Sequence, residues 1–153
     1  MLHKYVIVKK DTQFNLNSRM GHEIKVLKHI KNGLSIFLPK YYIVINKSSV
    51  LTDSVVMDFI PFKNLREYLR SNCDTMSLAT KMHLIFSITQ SLRYIRDFRI
   101  VHLDLKPNNI MIFCNLLVKL IDFGESYHPE VCTESTPFLP RTQSGLHHTL
   151  QSS

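Results

Sequence analysis

The first part of the chain contains short runs of β-branched and aromatic residues that are bounded by polar turns. Tyr5–Val8 has the composition and the length of a strand. Tyr41–Ile45 and Ser54–Phe59 have the same character, and the polar stretch Lys47–Asp53 separates them. This arrangement predicts that the two later strands form an antiparallel hairpin.

Three other segments show the capping residues or the apolar spacing of helices. The first is predicted to begin at Asn17 or Ser18 and to end near Ile30, and the second covers Asn64–Arg70. The third and longest helix is predicted over Ser77–Asp97. Its apolar residues are predicted to form one stripe: Leu84, Ile85, Ile88, Leu92 and Ile95.

The later part of the chain returns to short apolar runs. Very short strands are predicted at Ile100–Val101, Ile110–Phe113 and Val118–Ile121, with polar loops between them. From Pro129 to Ser153 the chain is rich in Ser, Thr, Pro, Gln and His and lacks apolar periodicity, which is typical of a poorly ordered tail. We assign this mixture of helices and strands to the α+β class.

Composition and charge exclude several classes of protein. Hydrophobic residues make up 44% of the 153 residues and charged residues 20%, as in an ordinary globular protein. The formal charge of +7 is dispersed, which favours a solvated surface over a nucleic-acid partner. No apolar run reaches the ~18 residues of a membrane span, and the three cysteines lack zinc-ligand spacing. We therefore expect an intracellular protein, of the cytoplasm or the nucleus, that binds neither nucleic acid nor a membrane.

The segment 100–126 concentrates the residues that carry chemistry. Asp104 and Asp122 each follow a short apolar strand, and Asn109 lies five positions after the first of them. Phosphoryl transfer needs placement and charge compensation more than covalent help from the protein. In that reaction one carboxylate orients the attacking hydroxyl, while a second carboxylate and an amide oxygen hold Mg²⁺, which prefers oxygen ligands.

This segment resembles two motifs of the eukaryotic-type protein kinases. His102–Asn109 reads HLDLKPNN and resembles the catalytic loop H-R-D-L-K-P-x-N, while Asp122–Gly124 resembles the D-F-G motif. Either motif alone is a weak signal, but both together, with a strand, a turn and a strand between them, are very specific. The H-L-D form of the loop is similar to that of Mos and of the Wee/Myt-type kinases.

The resemblance implies roles for individual residues and for two cofactors, ATP and Mg²⁺. Asp104 would be the catalytic base that orients the substrate hydroxyl, and Lys106 would steady the γ-phosphate. Asn109 and Asp122 would bind Mg²⁺. Lys106 is also typical of the Ser/Thr form of the loop, so the implied activity is transfer of the γ-phosphate of ATP to Ser or Thr hydroxyls of a protein substrate.

Upstream residues fall into the same register. Val6–Lys9 resembles the V-A-I-K strand, which implies that Lys9 contacts the ATP phosphates and that Glu23, in the following helix, pairs with it. Lys10 is the alternative to Lys9.

The stretch around Met57 resembles the hinge between the two kinase lobes. Met57 would guard the back of the adenine pocket, and the backbone groups of Asp58 and Ile60 would hydrogen-bond the adenine. His102, Phe123 and Leu27 are expected to stack into an apolar column between the lobes.

The chain also departs from the family pattern. Leu103 replaces the arginine that normally binds a phosphate on the activation loop. None of the four glycines forms G-x-G-x-x-G, and no A-P-E follows the D-F-G. We therefore expect a kinase-like bilobal fold that is truncated at both ends, with weakened ATP positioning. The apolar stripe of helix 77–97 is expected to face water, to find a substitute for the missing helices, or to bind a partner.

The predicted organisation is a partial kinase domain over residues 1–128 and a tail over 129–153. The domain would comprise an N-lobe remnant (1–57), the hinge (57–62) and the start of the C-lobe (63–128). The leading hypothesis is a protein kinase, and the alternative is an inactive kinase remnant that acts as a binding module. A small-molecule phosphotransferase of the aminoglycoside type shares the H-x-D…N pattern, but Lys106–Pro107 and the intact D-F-G argue against it.

Overall fold

The computed structural model describes residues 5–10, 19–30, 35–44, 54–72 and 74–132. The predicted helix cap at Asn17 or Ser18, the turn 47–53 and most of the tail lie outside these residues. The regular elements in chain order are β1 (Val6–Lys10), α1 (Arg19–Leu27), β2 (Tyr41–Val44), β3 (Ser54–Asp58), α2 (Leu65–Asn72), α3 (Leu78–Arg96), β4 (Ile110–Ile112) and β5 (Val118–Leu120). This mixture confirms the α+β class.

The first three strands form an antiparallel sheet in the order β1-β3-β2. The predicted hairpin is therefore confirmed, and its second strand lies at the centre of the sheet. Met57 pairs with Ile7 on one side and with Tyr41 on the other. Val55 and Tyr41 are buried, whereas the side chain of Ile7, on the edge strand, is exposed. The sheet thus has one well-covered centre next to an open edge.

Helix α1 packs its apolar side against this sheet. Met20, Ile24 and Leu27 are buried at the predicted helical spacing, and Val26 joins them. The regular helix ends at Leu27, and a hydrogen-bonded turn continues to Ile30, which is buried as well. Burial of a branched apolar side chain contributes roughly 1.5–3 kcal/mol, so this face holds the helix on the sheet.

The later helices begin at side-chain caps. Before α2, Asn64 Oδ1 accepts the Glu67 N–H at 2.9 Å and Glu67 Oε2 accepts the Asn64 N–H at 3.2 Å, a reciprocal capping box. Before α3, Ser77 Oγ accepts the Thr80 N–H at 3.1 Å. The capping residues that were assigned to the helices from sequence therefore stand just outside them, because a cap has non-helical backbone angles. Within the described residues, none of the helices combines the length and the hydropathy needed to cross a membrane.

The buried face of α3 differs from the predicted stripe. Leu84 and Ile95 are buried, but Ile85 is 59% exposed, so its assignment to the stripe was wrong. Residues 84, 87, 91 and 95 share one face at helical spacing, and Ile85 is displaced by one residue, about 100° around the axis. The expectation left open whether the stripe faces water or finds a substitute cover, and its buried members are covered by the core. The exposed apolar side chains lie on another face, formed by Leu78, Met82, Ile85 and Phe86.

Two buried serines fasten α3 to strand β5. Ser87 Oγ accepts the Val118 N–H at 3.0 Å, and Ser91 donates to Ser87 O at 2.9 Å. Both serines and Val118 are buried. A small hydroxyl on the helix allows the strand to approach closely while its backbone donor stays satisfied. This contact sets the height of the β4–β5 hairpin against the helix.

The β4–β5 hairpin carries the loops that precede and follow it. Ile110 pairs with Leu120 and Ile112 with Val118. The predicted strand Ile100–Val101 is wrong, because Val101 makes only an isolated bridge with Tyr127. Isolated bridges of this kind let a loop run beside another segment without committing it to a sheet.

A buried lysine connects the hairpin to the segment before β2. The Lys119 ammonium donates to Ser35 O at 2.9 Å and to Leu38 O at 2.7 Å. The Leu120 N–H donates to Phe37 O at 3.0 Å. Burial lowers the pKa of Lys119 from its ordinary value, which the Asp58 charge offsets in part. These bonds connect the β4–β5 hairpin to the segment that leads into β2.

Candidate active site

Lys9 on β1 and Glu23 on α1 form the ion pair that the sequence register predicts. Lys9 Nζ lies 2.5 Å from Glu23 Oε2 and 2.9 Å from Asp122 Oδ1. Glu23 is 2% exposed, and its other oxygen, Oε1, accepts the Phe123 N–H at 3.2 Å. Glu23 therefore connects the strand, the helix and the D-F-G segment. Lys10, the alternative to Lys9, is exposed.

The charges of this group hold one another in their ionised forms. Burial lowers the pKa of Lys9, but its hydrogen bonds and charge interactions with Glu23 and Asp122 outweigh burial, so the pKa is raised overall. Burial raises the pKa of Asp122, but the hydrogen bond from Lys9 and its charge outweigh that effect and lower the pKa. Lys9 and Asp122 are both charged at neutral pH as a result.

The loop after α3 brings Asp104, Lys106 and Asn109 together. Lys106 Nζ lies 2.6 Å from Asp104 Oδ2. Asn109 Nδ2 donates to the Asp104 backbone oxygen at 2.9 Å and to Asp104 Oδ2 at 3.0 Å. These bonds orient the carboxylate, and the hydrogen bond from Lys106 is the largest of the effects that lower the pKa of Asp104. The loop therefore presents a fixed, ionised carboxylate.

Arg19, the first residue of α1, reaches across the two loops. Its Nη2 atom lies 3.4 Å from Asp104 Oδ2 and 3.2 Å from Asp122 Oδ2. Its Nε atom lies 3.4 Å from Glu125 Oε1. One nitrogen thus contacts both aspartates, which shows that the two carboxylates converge on a common point.

The donor set at this point fits a divalent cation. The guanidinium of Arg19 demonstrates that a positive charge is accommodated between Asp104 and Asp122. Asn109 turns its amide NH₂ towards Asp104, so the amide oxygen is the end left for a cation. Carboxylate and amide oxygens are the ligands that Mg²⁺ prefers. This donor set includes the amide of Asn109 and therefore differs from a site built of His, Cys, Asp or Glu alone. Among the described residues, no group of three or more His, Cys, Asp or Glu side chains is placed to hold a metal ion.

The backbone is unusual at Asp122 and at Leu103, the residue before Asp104. Leu103 has a φ of 60° and Asp122 a φ of 65°, both in the left-handed region. Non-glycine residues rarely adopt it, and they keep it at functional sites where the surroundings determine it. His102 supports both loops, because its Nε2 lies 3.1 Å from Ile121 O. Burial, the largest effect, lowers the pKa of His102, which favours its neutral form.

An apolar column stands behind the charged groups. The rings of His102 and Phe123 are 5.1 Å apart, and Phe123 is fully buried. Tyr41 extends the column with an edge-to-face contact to Phe123 at 6.2 Å. Leu27, the third predicted member, is buried in the same core cluster. The column therefore anchors Phe123 of the D-F-G segment in the core.

The stretch predicted as a hinge lies at the end of β3. The Asp58 N–H donates to Lys40 O at 3.0 Å, and the Ile60 carbonyl accepts the Phe62 N–H at 2.8 Å. Ile60 is buried, and Met57 is packed against the core. Strand β3 ends at Asp58, and the residues that follow lead directly into α2.

Comparison with known proteins decides the family. The family model described as the protein kinase domain matches residues 2–140. The chain belongs to the protein kinase family. This kinase chain is 31% identical over 109 residues to the mitogen-activated protein kinase HOG1 of Hortaea werneckii. The matched segment is 71% of this chain and 28% of that protein. The chain is 30% identical over 108 residues to the probable serine/threonine-protein kinase MRK1 homolog of Encephalitozoon cuniculi, covering 69% of this chain and 33% of that protein.

A further kinase matches over a shorter segment of the chain. The RGS domain-containing serine/threonine-protein kinase A of Dictyostelium discoideum is 35% identical over 63 residues, or 41% of this chain and 6% of that protein. The chain spans about a third or less of the length of these relatives. The subfamily resemblance of the H-L-D loop to Mos and to the Wee/Myt-type kinases stays a prediction.

Two residues of the site in this protein kinase chain were missed from sequence. Arg19 stands four positions before Glu23, so the two share a helix face, and this spacing could have indicated that Arg19 points to the same site. Tyr41 begins a strand that was read as half of a hairpin, and no local signal shows that it meets Phe123. The predicted residues Lys9, Glu23, Asp104, Lys106, Asn109 and Asp122 do lie together in the structure.

Proposed function

We propose that this chain binds ATP with Mg²⁺ and transfers the γ-phosphoryl group to a Ser or Thr hydroxyl of a protein. The observation that carries the proposal is the convergence of Asp104 and Asp122 on one positive nitrogen. Lys9 connects the same point to Glu23 on the other side. Family membership supports the reaction class, and the geometry supports the assignment of the roles below.

Lys9 would contact the α- and β-phosphates, and Glu23 would hold it in place through their 2.5 Å ion pair. Asn109 and Asp122 would hold Mg²⁺, which would supply positive charge against the phosphate groups of ATP. The arrangement resembles that of other phosphoryl-transfer sites, where positioning and electrostatic stabilisation supply most of the catalysis.

Asp104 would accept the proton of the substrate hydroxyl as its oxygen attacks the γ-phosphorus. The bond from that phosphorus to the β-phosphate oxygen breaks, and ADP leaves. The neighbouring Lys106 lowers the pKa of Asp104, so the carboxylate stays ionised and can accept a hydrogen bond from the substrate hydroxyl. Lys106 would move from Asp104 to the γ-phosphate oxygens as charge moves during the transfer.

The adenine would lie beside the segment that follows Met57. Because the Ile60 carbonyl already accepts the Phe62 N–H, we expect the Ile60 N–H and the Asp58 carbonyl to bind the adenine edge. This narrows the sequence prediction, which named backbone groups of both residues. Lys106, as in Ser/Thr-specific kinases, supports Ser or Thr as the acceptor, and the serine/threonine kinases among the relatives agree with it.

Phosphate transfer from γ-labelled ATP to a Ser- and Thr-rich acceptor protein, with Mg²⁺ present, tests the proposal. Asp104→Asn should lower the rate at least about a hundredfold, since a positioned base contributes about 10²–10⁴-fold. Asp122→Asn should also lower the rate, because it removes a proposed ligand of Mg²⁺. Asp97→Asn makes the same chemical change at a side chain that is 64% exposed at the end of α3, and it should keep the wild-type rate. Equal rates for the wild type and all three variants would refute the proposed activity.

A binding module without turnover is the alternative function. The exposed apolar side chains of Leu78, Met82, Ile85 and Phe86 on α3 favour it, since contiguous apolar surface marks contact sites. Nucleotide binding measured by calorimetry, together with no transfer above the Asp122→Asn background, would favour this alternative. Transfer that depends on Asp122 would favour the kinase.

A further inference from the structure

Arg19 occupies the point at which the proposed function requires a divalent cation. Its Nη2 atom contacts Asp104 at 3.4 Å and Asp122 at 3.2 Å, and its Nε atom contacts Glu125 at 3.4 Å. A cation bound by Asp122 needs oxygen ligands within about 2.0–2.6 Å. The guanidinium and such a cation therefore compete for the Asp122 carboxylate, and they repel each other through their positive charges.

The backbone of the D-F-G segment provides room for this arginine. A Cβ atom added at Gly124 would lie 2.5 Å from Arg19 Nε and 2.6 Å from Arg19 Cγ. The side chain of Arg19 thus lies flat across the one position in the motif that has no side chain. Even a methyl group at position 124 would push Arg19 away from the two aspartates.

Arg19 can leave without stranding its partners. Its side chain is 46% exposed, so it can swing into solvent. Asp104 keeps Lys106 and Asn109, and Asp122 keeps Lys9. Glu125, the third partner, is 46% exposed and can be solvated instead. Exposed ion pairs are weak, so a metal ion with its nucleotide can displace Arg19.

We propose that Arg19 is a built-in competitor of the divalent cation: it neutralises the Asp104–Asp122 pair when no metal is bound and must be displaced for the metal to enter. The inference rests on the proposed function, because it assumes that Asp122 is a metal ligand. It assigns to the first residue of α1 a control over metal entry that is separate from the role of Glu23 one turn later on the same helix.

Mn²⁺ binding to the 153-residue chain, followed by the electron paramagnetic resonance signal of free Mn²⁺, tests the proposal. Arg19→Gln should tighten Mn²⁺ binding about tenfold, since it removes several weak ion pairs at once. Arg66→Gln, the same substitution at an exposed position of α2, should leave the affinity unchanged. Gly124→Ala should also tighten Mn²⁺ binding, because the added methyl group displaces Arg19 without altering any charge. The double variant Arg19→Gln/Gly124→Ala should bind no tighter than Arg19→Gln, because both changes remove the same competitor.

Asp122→Asn separates failure of this inference from failure of the proposed function. If Asp122→Asn abolishes Mn²⁺ binding while Arg19→Gln leaves it unchanged or weaker, the metal site stands and the competition is overturned. If Asp122→Asn leaves binding unchanged in both backgrounds, the metal site and the competition fall together. A second arm adds a non-hydrolysable ATP analogue. If Arg19→Gln weakens binding of the Mn²⁺–nucleotide complex, Arg19 is a phosphate ligand and the competition is again overturned.

Discussion

Replacement of Glu23 perturbs the contact on which the site depends most. This carboxylate is 2% exposed and has two partners: Oε2 receives the ammonium of Lys9 at 2.5 Å and Oε1 the Phe123 N–H at 3.2 Å. Glu23→Gln retains the shape and one acceptor oxygen but removes the charge. Glu23→Ala removes both contacts. The two variants therefore separate the ion pair from the hydrogen bond to the D-F-G segment.

The magnitude follows from these contacts. A hydrogen bond to a charged group contributes about 1.5–3 kcal/mol. Lys9 is 38% exposed and keeps Asp122 as a partner, so the loss in Glu23→Gln should be about 2 kcal/mol of unfolding free energy. Glu23→Ala also loses the bond to Phe123 and leaves a buried void, which raises the loss to about 3–4 kcal/mol.

Urea unfolding followed by circular dichroism measures both losses. Glu130→Gln is the matched control, because its carboxylate is 65% exposed and lies 3.8–3.9 Å from its basic neighbours. It should change the unfolding free energy by less than about 0.5 kcal/mol. A Glu23→Gln variant as stable as Glu130→Gln would show that the ion pair does not hold α1 on the sheet, and the reasoning would fail.

Three further outcomes are expected. Ser87→Ala should cost about 1–3 kcal/mol in urea unfolding, because it leaves the buried Val118 N–H without its acceptor, and an unchanged midpoint would contradict this. Phe123→Ala should lower the free energy of unfolding by about 3–5 kcal/mol, because its ring is fully buried. Phe86→Ala, at a ring that is 62% exposed, should lower it by less than about 0.5 kcal/mol. Similar losses for the two variants would contradict the burial of Phe123 in the core. The pKa of Asp104 is lowered from its ordinary 3.8 by its lysine neighbour, so its contribution to stability is complete above that value and lost as the pH falls through the lowered pKa. The melting temperature of Asp104→Asn should therefore fall less than that of the wild type between about pH 5 and pH 2, and parallel curves would refute the assignment.

Local patterns predicted most elements because each has a short-range cause. The β-branched runs at residues 54–59 and 41–45 predict strands, and β3 and β2 lie within them. Ser77 was placed at the start of the long helix and is its cap. The predictions were wrong where a shift of one residue determines the buried face of a helix, or where a single contact separates a bridge from a strand. The pattern predicts Ile85 on the same stripe as Leu84, although adjacent residues face different sides of a helix. It also predicts a strand at Ile100–Val101, where the structure has a single bridge.

The order of chemical residues along the chain was sufficient to identify the family, because the H-x-D-x-K-P-x-N and D-F-G spacings are local and each residue type has a distinct chemical task. It did not determine which groups meet across the chain. Arg19 and Asp104 are separated by 85 positions and Tyr41 belongs to another strand, yet they meet the catalytic loop and Phe123. Only packing of α1 and the first sheet against the β4–β5 loops brings them there, because side-chain direction in space depends on how distant elements are oriented and not on the residues beside them in sequence.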